Sequence, residues 1–175
     1  MLFRSNNSVV RVAEDVLEAS VATLDPAPYV ERRYGEPEIW PDWESLNEGI
    51  ALDRLSSGDF GWVLAVVPGD SDHLLVGTSS TGMQLLEASD FAALANGPNY
   101  FVMFVLSCMA ADIAHDSTLE ILLRNPDGGC VAGVSHTGQA FVSPDEELLG
   151  ITLEKALGVP GATLGGAMKR ARKIQ

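Results

Sequence analysis

Three short apolar runs limit what this chain can fold into more than any other feature. They are WVLAVV at residues 62–67, FVMFVL at 101–106 and CVAGV at 130–134. Each is continuous rather than alternating, and each is bounded by turn residues. A strand buried on both faces reads this way, as in a parallel sheet covered by helices. Helical punctuation lies between the runs. Residues 43–55 carry Leu46, Ile50, Leu52 and Leu55 and stop at Ser56-Ser57-Gly58-Asp59. A short helix starts at Ser89-Asp90 and is closed by Asn96-Gly97-Pro98. Ser117 and Glu120 have capping-box spacing for a helix through Leu123, ended by Asn125-Pro126-Asp127-Gly128-Gly129. Ser143, Pro144 and Glu146 mark another helix start, and residues 163–173 read as a last helix. Nearer the N-terminus, 9–21 fits an amphipathic helix and 29–34 a short polar strand, while 74–76 suggests a further strand. The alternation predicts an α/β layered domain with a mainly parallel sheet flanked by helices. A chain of 175 residues supports one such core, so 1–175 is expected to be a single domain.

Composition narrows the function classes. With 46% hydrophobic and 20% charged residues the chain has globular usage, not that of a disordered segment. A net charge of -13 would repel phosphates, which argues against nucleic acid, and it favours solubility. Four of the eleven basic residues, Lys169, Arg170, Arg172 and Lys173, sit together near the C-terminus, where cations suit a helix end. Two cysteines make no disulfide framework. The opening MLFRSNNS has no apolar core segment of a signal peptide, and the longest apolar run, 100–106, is too short to cross a bilayer. A soluble protein without a membrane partner is expected, in a compartment left open.

The chemistry is to be sought where the runs end, because ligands of open α/β sheets bind beyond the carboxyl ends of the strands. Those tips are Pro68-Gly69, Ser107-Cys108 and Ser135-His136. Cys108 either acts as a nucleophile, given a base or a stabilised thiolate, or packs as a small apolar residue. His73, His115 and His136 are candidate bases, and each could equally be a solvated loop residue. No cysteine or histidine pair has zinc spacing. The stretch Gly77-Thr78-Ser79-Ser80-Thr81-Gly82 lacks the lysine of a phosphate loop. No metal or other cofactor is expected. Asp112, Asp116 and Glu120 read as caps and surface charges.

The order of motifs from 76 to 138 resembles the second half of the catalytic domain of gingipain-type cysteine peptidases. The matching elements are Leu94-Ala95-Asn96, Tyr100-Phe101, Ser107-Cys108, Glu120 and Pro126-Asp127-Gly128-Gly129, with Leu164-Gly165-Gly166-Ala167 resembling the family's last helix. The resemblance spans about residues 43–173. It implies a caspase-like three-layer fold and hydrolysis of peptide bonds through Cys108. It also implies an oxyanion site formed by the N–H groups of Gly69 and Cys108. Two departures accompany it. The family's His-Gly pair should follow the run 62–67, where Pro68-Gly69-Asp70 stands; an alternative alignment puts the pair at Thr78-Ser79. His73 lies between the two and is the substitute candidate. The front of the domain is also short, which implies an open sheet edge that a partner strand, a second copy or a larger parent chain could cover. The resemblance thus supports two expectations. One is a cysteine endopeptidase acting on peptides or proteins. The other is a catalytically silent pseudopeptidase used for binding or assembly.

Overall fold

The computed structural model describes residues 2–4, 32–34, 44–78, 82–140, 159, 161 and 163–171. Six strands form one sheet: β1 (Leu2–Arg4), β2 (Arg32–Tyr34), β3 (Glu44–Ser45), β4 (Trp62–Val66), β7 (Phe101–Leu106) and β8 (Cys130–Val134). Their order is β3-β2-β1-β4-β7-β8, and every pairing is parallel. Strands β5 (His73–Thr78) and β6 (Gly82–Glu87) form a separate antiparallel hairpin. The described helices are α1 (Glu48–Ser56), α2 (Ala88–Ala92), α3 (Thr118–Arg124) and α4 (Leu164–Ala171). The chain divides into two compact units, 1–6 with 31–140 and 7–30 with 141–175. The sheet, the hairpin and α1 to α3 belong to the first, and α4 to the second.

The central strands are apolar at every position because both of their faces are covered. Val63, Leu64, Ala65, Val66 and Val67 are all buried, as are Phe101, Met103, Phe104 and Val105. One face carries Val63, Ala65, Val67, Met103 and Val105. They join Ala51 and Leu55 of α1, Phe91 of α2, Leu119 and Leu122 of α3, and Leu74, Val76 and Leu86 of the hairpin. The opposite face carries Leu64, Val66 and Phe104, with Trp62 stacked on Phe104 at 5.7 Å between ring centroids. The expected α/β caspase-like architecture, a parallel sheet flanked by helices, is the one found.

Local readings hold in part. The runs 62–67, 101–106 and 130–134 are strands, the last two with the expected bounds. The expectation that 130–134 is buried on both faces is corrected: β8 is the edge strand, and Val131 is 67% exposed. The helix expected over 43–55 starts only at Glu48, where the Asn47 side chain accepts the Ile50 N–H at 2.9 Å, and Glu44–Ser45 pairs with β2 instead. Leu2–Arg4 is a sheet strand between β2 and β4, a role that three residues could not announce. The strand suggested at 74–76 is one arm of a longer hairpin. At α3 the capping box is not made. The Ser117 hydroxyl makes no cap bond, the Thr118 N–H donates to the Ser71 carbonyl at 2.6 Å, and Glu120 accepts from Arg124. Main-chain acceptors of other segments meet the first N–H groups instead, the Ala110 carbonyl taking the Leu119 N–H at 2.9 Å. The helix read at 9–21 and the start at Ser143-Pro144 lie outside the described residues.

Candidate functional site

Register brings two of the sequence tips together. Val66 of β4 pairs with Leu106 of β7, and the Val67 N–H donates to the Leu106 carbonyl at 3.2 Å. The chain therefore leaves the sheet side by side at Pro68-Gly69 and at Ser107-Cys108, on the carboxyl edge. β4 also neighbours β1, beyond which the strand order reverses direction in sequence, so this edge is next to the topological switch point.

The loop after β4 folds back onto β5. The Leu75 N–H donates to the Pro68 carbonyl at 2.8 Å and the Asp70 N–H to the His73 carbonyl at 3.0 Å. Gly69 and Leu74 face each other between these two bonds as an isolated antiparallel bridge. In that arrangement the N–H of Gly69 is turned away from the hairpin. Among the described residues neither the Gly69 N–H nor the Cys108 N–H donates to another group. Glycine is required at 69 by space, since a Cβ would lie 2.5 Å from the His73 carbonyl oxygen and 2.6 Å from Ser107 Oγ. Ser107 is buried, and its hydroxyl has no hydrogen-bond partner among the described residues.

Cys108 is half-buried, in the turn that follows β7. This turn is tied to the segment after β8: the Met109 N–H donates to the Gly138 carbonyl at 2.8 Å and the Ala111 N–H to the His136 carbonyl at 3.0 Å. Met109 has φ 54° and is the non-glycine residue with positive φ among those described. The turn ends at Asp112, whose buried carboxylate accepts the Ala114 N–H at 2.9 Å and holds His115 Nδ1 at 2.7 Å. The Ala114 N–H and then the His115 ring lower the pKa of Asp112. Asp112 raises that of His115, with a smaller contribution from the charge of Asp70. Asp112 is thus not a surface charge, unlike Asp116 and Glu120, which share exposed Arg124.

The three histidines have separate settings. His73 opens β5, its Nδ1 2.9 Å from Oδ1 of the exposed Asp72. His115 is exposed and held by Asp112. His136 offers its carbonyl to Ala111 and has its Nδ1 buried. Neither His73 nor His115 is hydrogen-bonded to Cys108. The second cysteine, Cys130, is buried at the start of β8, and burial pushes its thiol up to about 12. No group of carboxylates, histidines and cysteines among the described residues could hold a metal ion. No described helix is long and apolar enough to cross a membrane.

Sequence reasoning named Cys108, Gly69 and His73. It missed Asp112 as an anchor, the buried hydroxyl of Ser107 and the left-handed Met109. Only Ser107, adjacent to the cysteine at a strand tip, carried any signal. The family model for peptidase family C25 matches residues 58–174, about two thirds of the chain. No curated protein matches it.

Proposed function

The chain belongs to peptidase family C25, the gingipain family, and from that premise we propose that the carboxyl edge of its sheet at Gly69 and Cys108 binds an extended peptide without cleaving it. The observation that carries this reading is Pro68. The family's histidine is expected directly after the run 62–67, and the residue there is a proline with no titratable group. The alternative position, Thr78, is at the far end of the hairpin arm and offers no imidazole either. A cysteine nucleophile needs a base or a stabilised thiolate. Loss of a general base costs on the order of 10²–10⁴ in rate. What the site keeps is recognition chemistry: the uncommitted N–H groups of Gly69 and Cys108 are two donors suited to a main-chain carbonyl.

One observation favours the active reading. His73 Nδ1 is bonded to a carboxylate, Asp72, which is how a catalytic imidazole is oriented so that Nε2 can take a proton. In that case Cys108 attacks the peptide carbonyl, His73 protonates the leaving amine, and the two N–H groups hold the oxyanion.

Incubation of the protein and of its Cys108→Ala variant with a complex peptide mixture separates the two, read by native and peptide mass spectrometry. Peptides retained by both proteins with no new termini support the silent reading. Cleavage that requires Cys108 overturns it.

A further inference from the structure

Met109 combines two facts that a simple surface turn does not need. Its backbone is left-handed at φ 54°, a strained conformation for a residue with a side chain that persists only where the surrounding structure enforces it. Its own N–H and that of Ala111 then both reach the segment after β8, at the carbonyls of Gly138 and His136. The two bonds hold this turn against that segment. The Cys108 N–H donates to neither of those acceptors. We propose that Met109 is the positioning residue of the site. Its left-handed backbone clamps the Cys108 turn to residues 136–138 and thereby sets both the exposure of the thiol and the direction of the Cys108 N–H. The proposal rests on the reading of the Cys108 turn as the functional site. It requires neither peptide binding nor catalysis.

The side chain is secondary in this account and the backbone conformation is primary. Met109→Gly keeps the left-handed turn, because glycine adopts it freely. Met109→Ile excludes it, because a β-branched residue there is a genuine outlier. The measurement is the rate of iodoacetamide alkylation at fixed pH in the folded protein, with Cys108 and Cys130 quantified separately by mass spectrometry. Cys130 is buried and reports global opening. Met109→Gly is expected to alkylate at Cys108 within about twofold of the wild-type rate, since the turn is retained. Met109→Ile is expected to alkylate at Cys108 on the order of tenfold faster while Cys130 stays protected, the clamp having been released locally. An unchanged Cys108 rate in Met109→Ile overturns the proposal. So does a parallel rise at Cys130, which reports a merely structural role, or a changed Cys108 rate in Met109→Gly. Peptide retention does not enter this readout, so failure of the binding reading and failure of the clamp are distinguishable.

Discussion

Gly69 and Ser107 are packed so closely that a single added carbon does not fit: a Cβ on Gly69 would stand 2.6 Å from the Ser107 hydroxyl oxygen. This contact joins the loop after β4 to the residue before Cys108. It ties together the two strand tips on which the candidate site depends.

Gly69→Ala should therefore destabilise the fold. The new methyl meets the His73 carbonyl as well as Ser107, and backbone cannot yield as a flexible side chain can. The expected loss is about 1–3 kcal/mol, as for overpacked cores. Gly61→Ala is the control, because a Cβ there meets nothing within 4 Å, and it should stay within about 0.5 kcal/mol of wild type. Urea unfolding of the two variants checks this, and equal midpoints would contradict the contact.

Asn96 is expected to be worth more than its size suggests. Its buried amide donates to the carbonyls of Asn99 and Gly129 at 2.9 and 3.0 Å and accepts the Gly129 N–H at 2.6 Å. Asn96→Ala leaves both polar groups of Gly129 without that partner, a loss on the order of 3 kcal/mol. Asn96→Asp should also destabilise, because a carboxylate cannot donate to the two carbonyls. Denaturant midpoints of both variants test this; a neutral Asn96→Asp would show that the donor bonds contribute little.

The Asp112–His115 pair predicts a pH window. His115 titrates above its ordinary 6.5 because of Asp112. Its contribution to stability is fully present below 6.5 and is lost as pH rises through the raised value. Asp112 titrates below its ordinary 3.8, chiefly through the Ala114 N–H. Its contribution is present above 3.8 and is lost as pH falls through the lowered value. The turn beside Cys108 is therefore most secure between these limits. In an NMR titration Asp112→Asn should bring the His115 midpoint down toward 6.5. A midpoint that does not move would remove the pair from the account.

Cys130 should resist alkylation in the folded protein from neutral to mildly alkaline pH, because burial pushes its thiol up to about 12. It should label readily once the chain is unfolded in urea, whereas Cys108, only half-buried, should label in the folded state. Fast labelling of Cys130 without denaturant would contradict the burial of its side chain.

The sequence alone determined whatever is written in contiguous residues. The runs at 62–67 and 101–106 are apolar at successive positions because β4 and β7 are covered on both faces, so their identity as parallel strands was legible; the run at 130–134 reads the same way although β8 lies at the sheet edge with Val131 exposed. The departure at Pro68 and the place of Cys108 beyond a strand were equally plain, since both are properties of single positions. The short strands Leu2–Arg4 and Glu44–Ser45 were not legible, because two or three residues carry no period and they are strands only through the neighbours they pair with. The capping box at Ser117 was a sound local reading that is not made, the first helical N–H groups going instead to the main-chain carbonyls of Ser71 and Ala110. The geometry at Cys108 belongs to the same class. The bonds from the Met109 turn to residues 136–138 and the close approach of Gly69 to Ser107 join segments distant in the chain. Local propensity is a property of neighbours in sequence, whereas the direction of an N–H or the burial of a carboxylate is set by whichever segments the sheet register brings alongside.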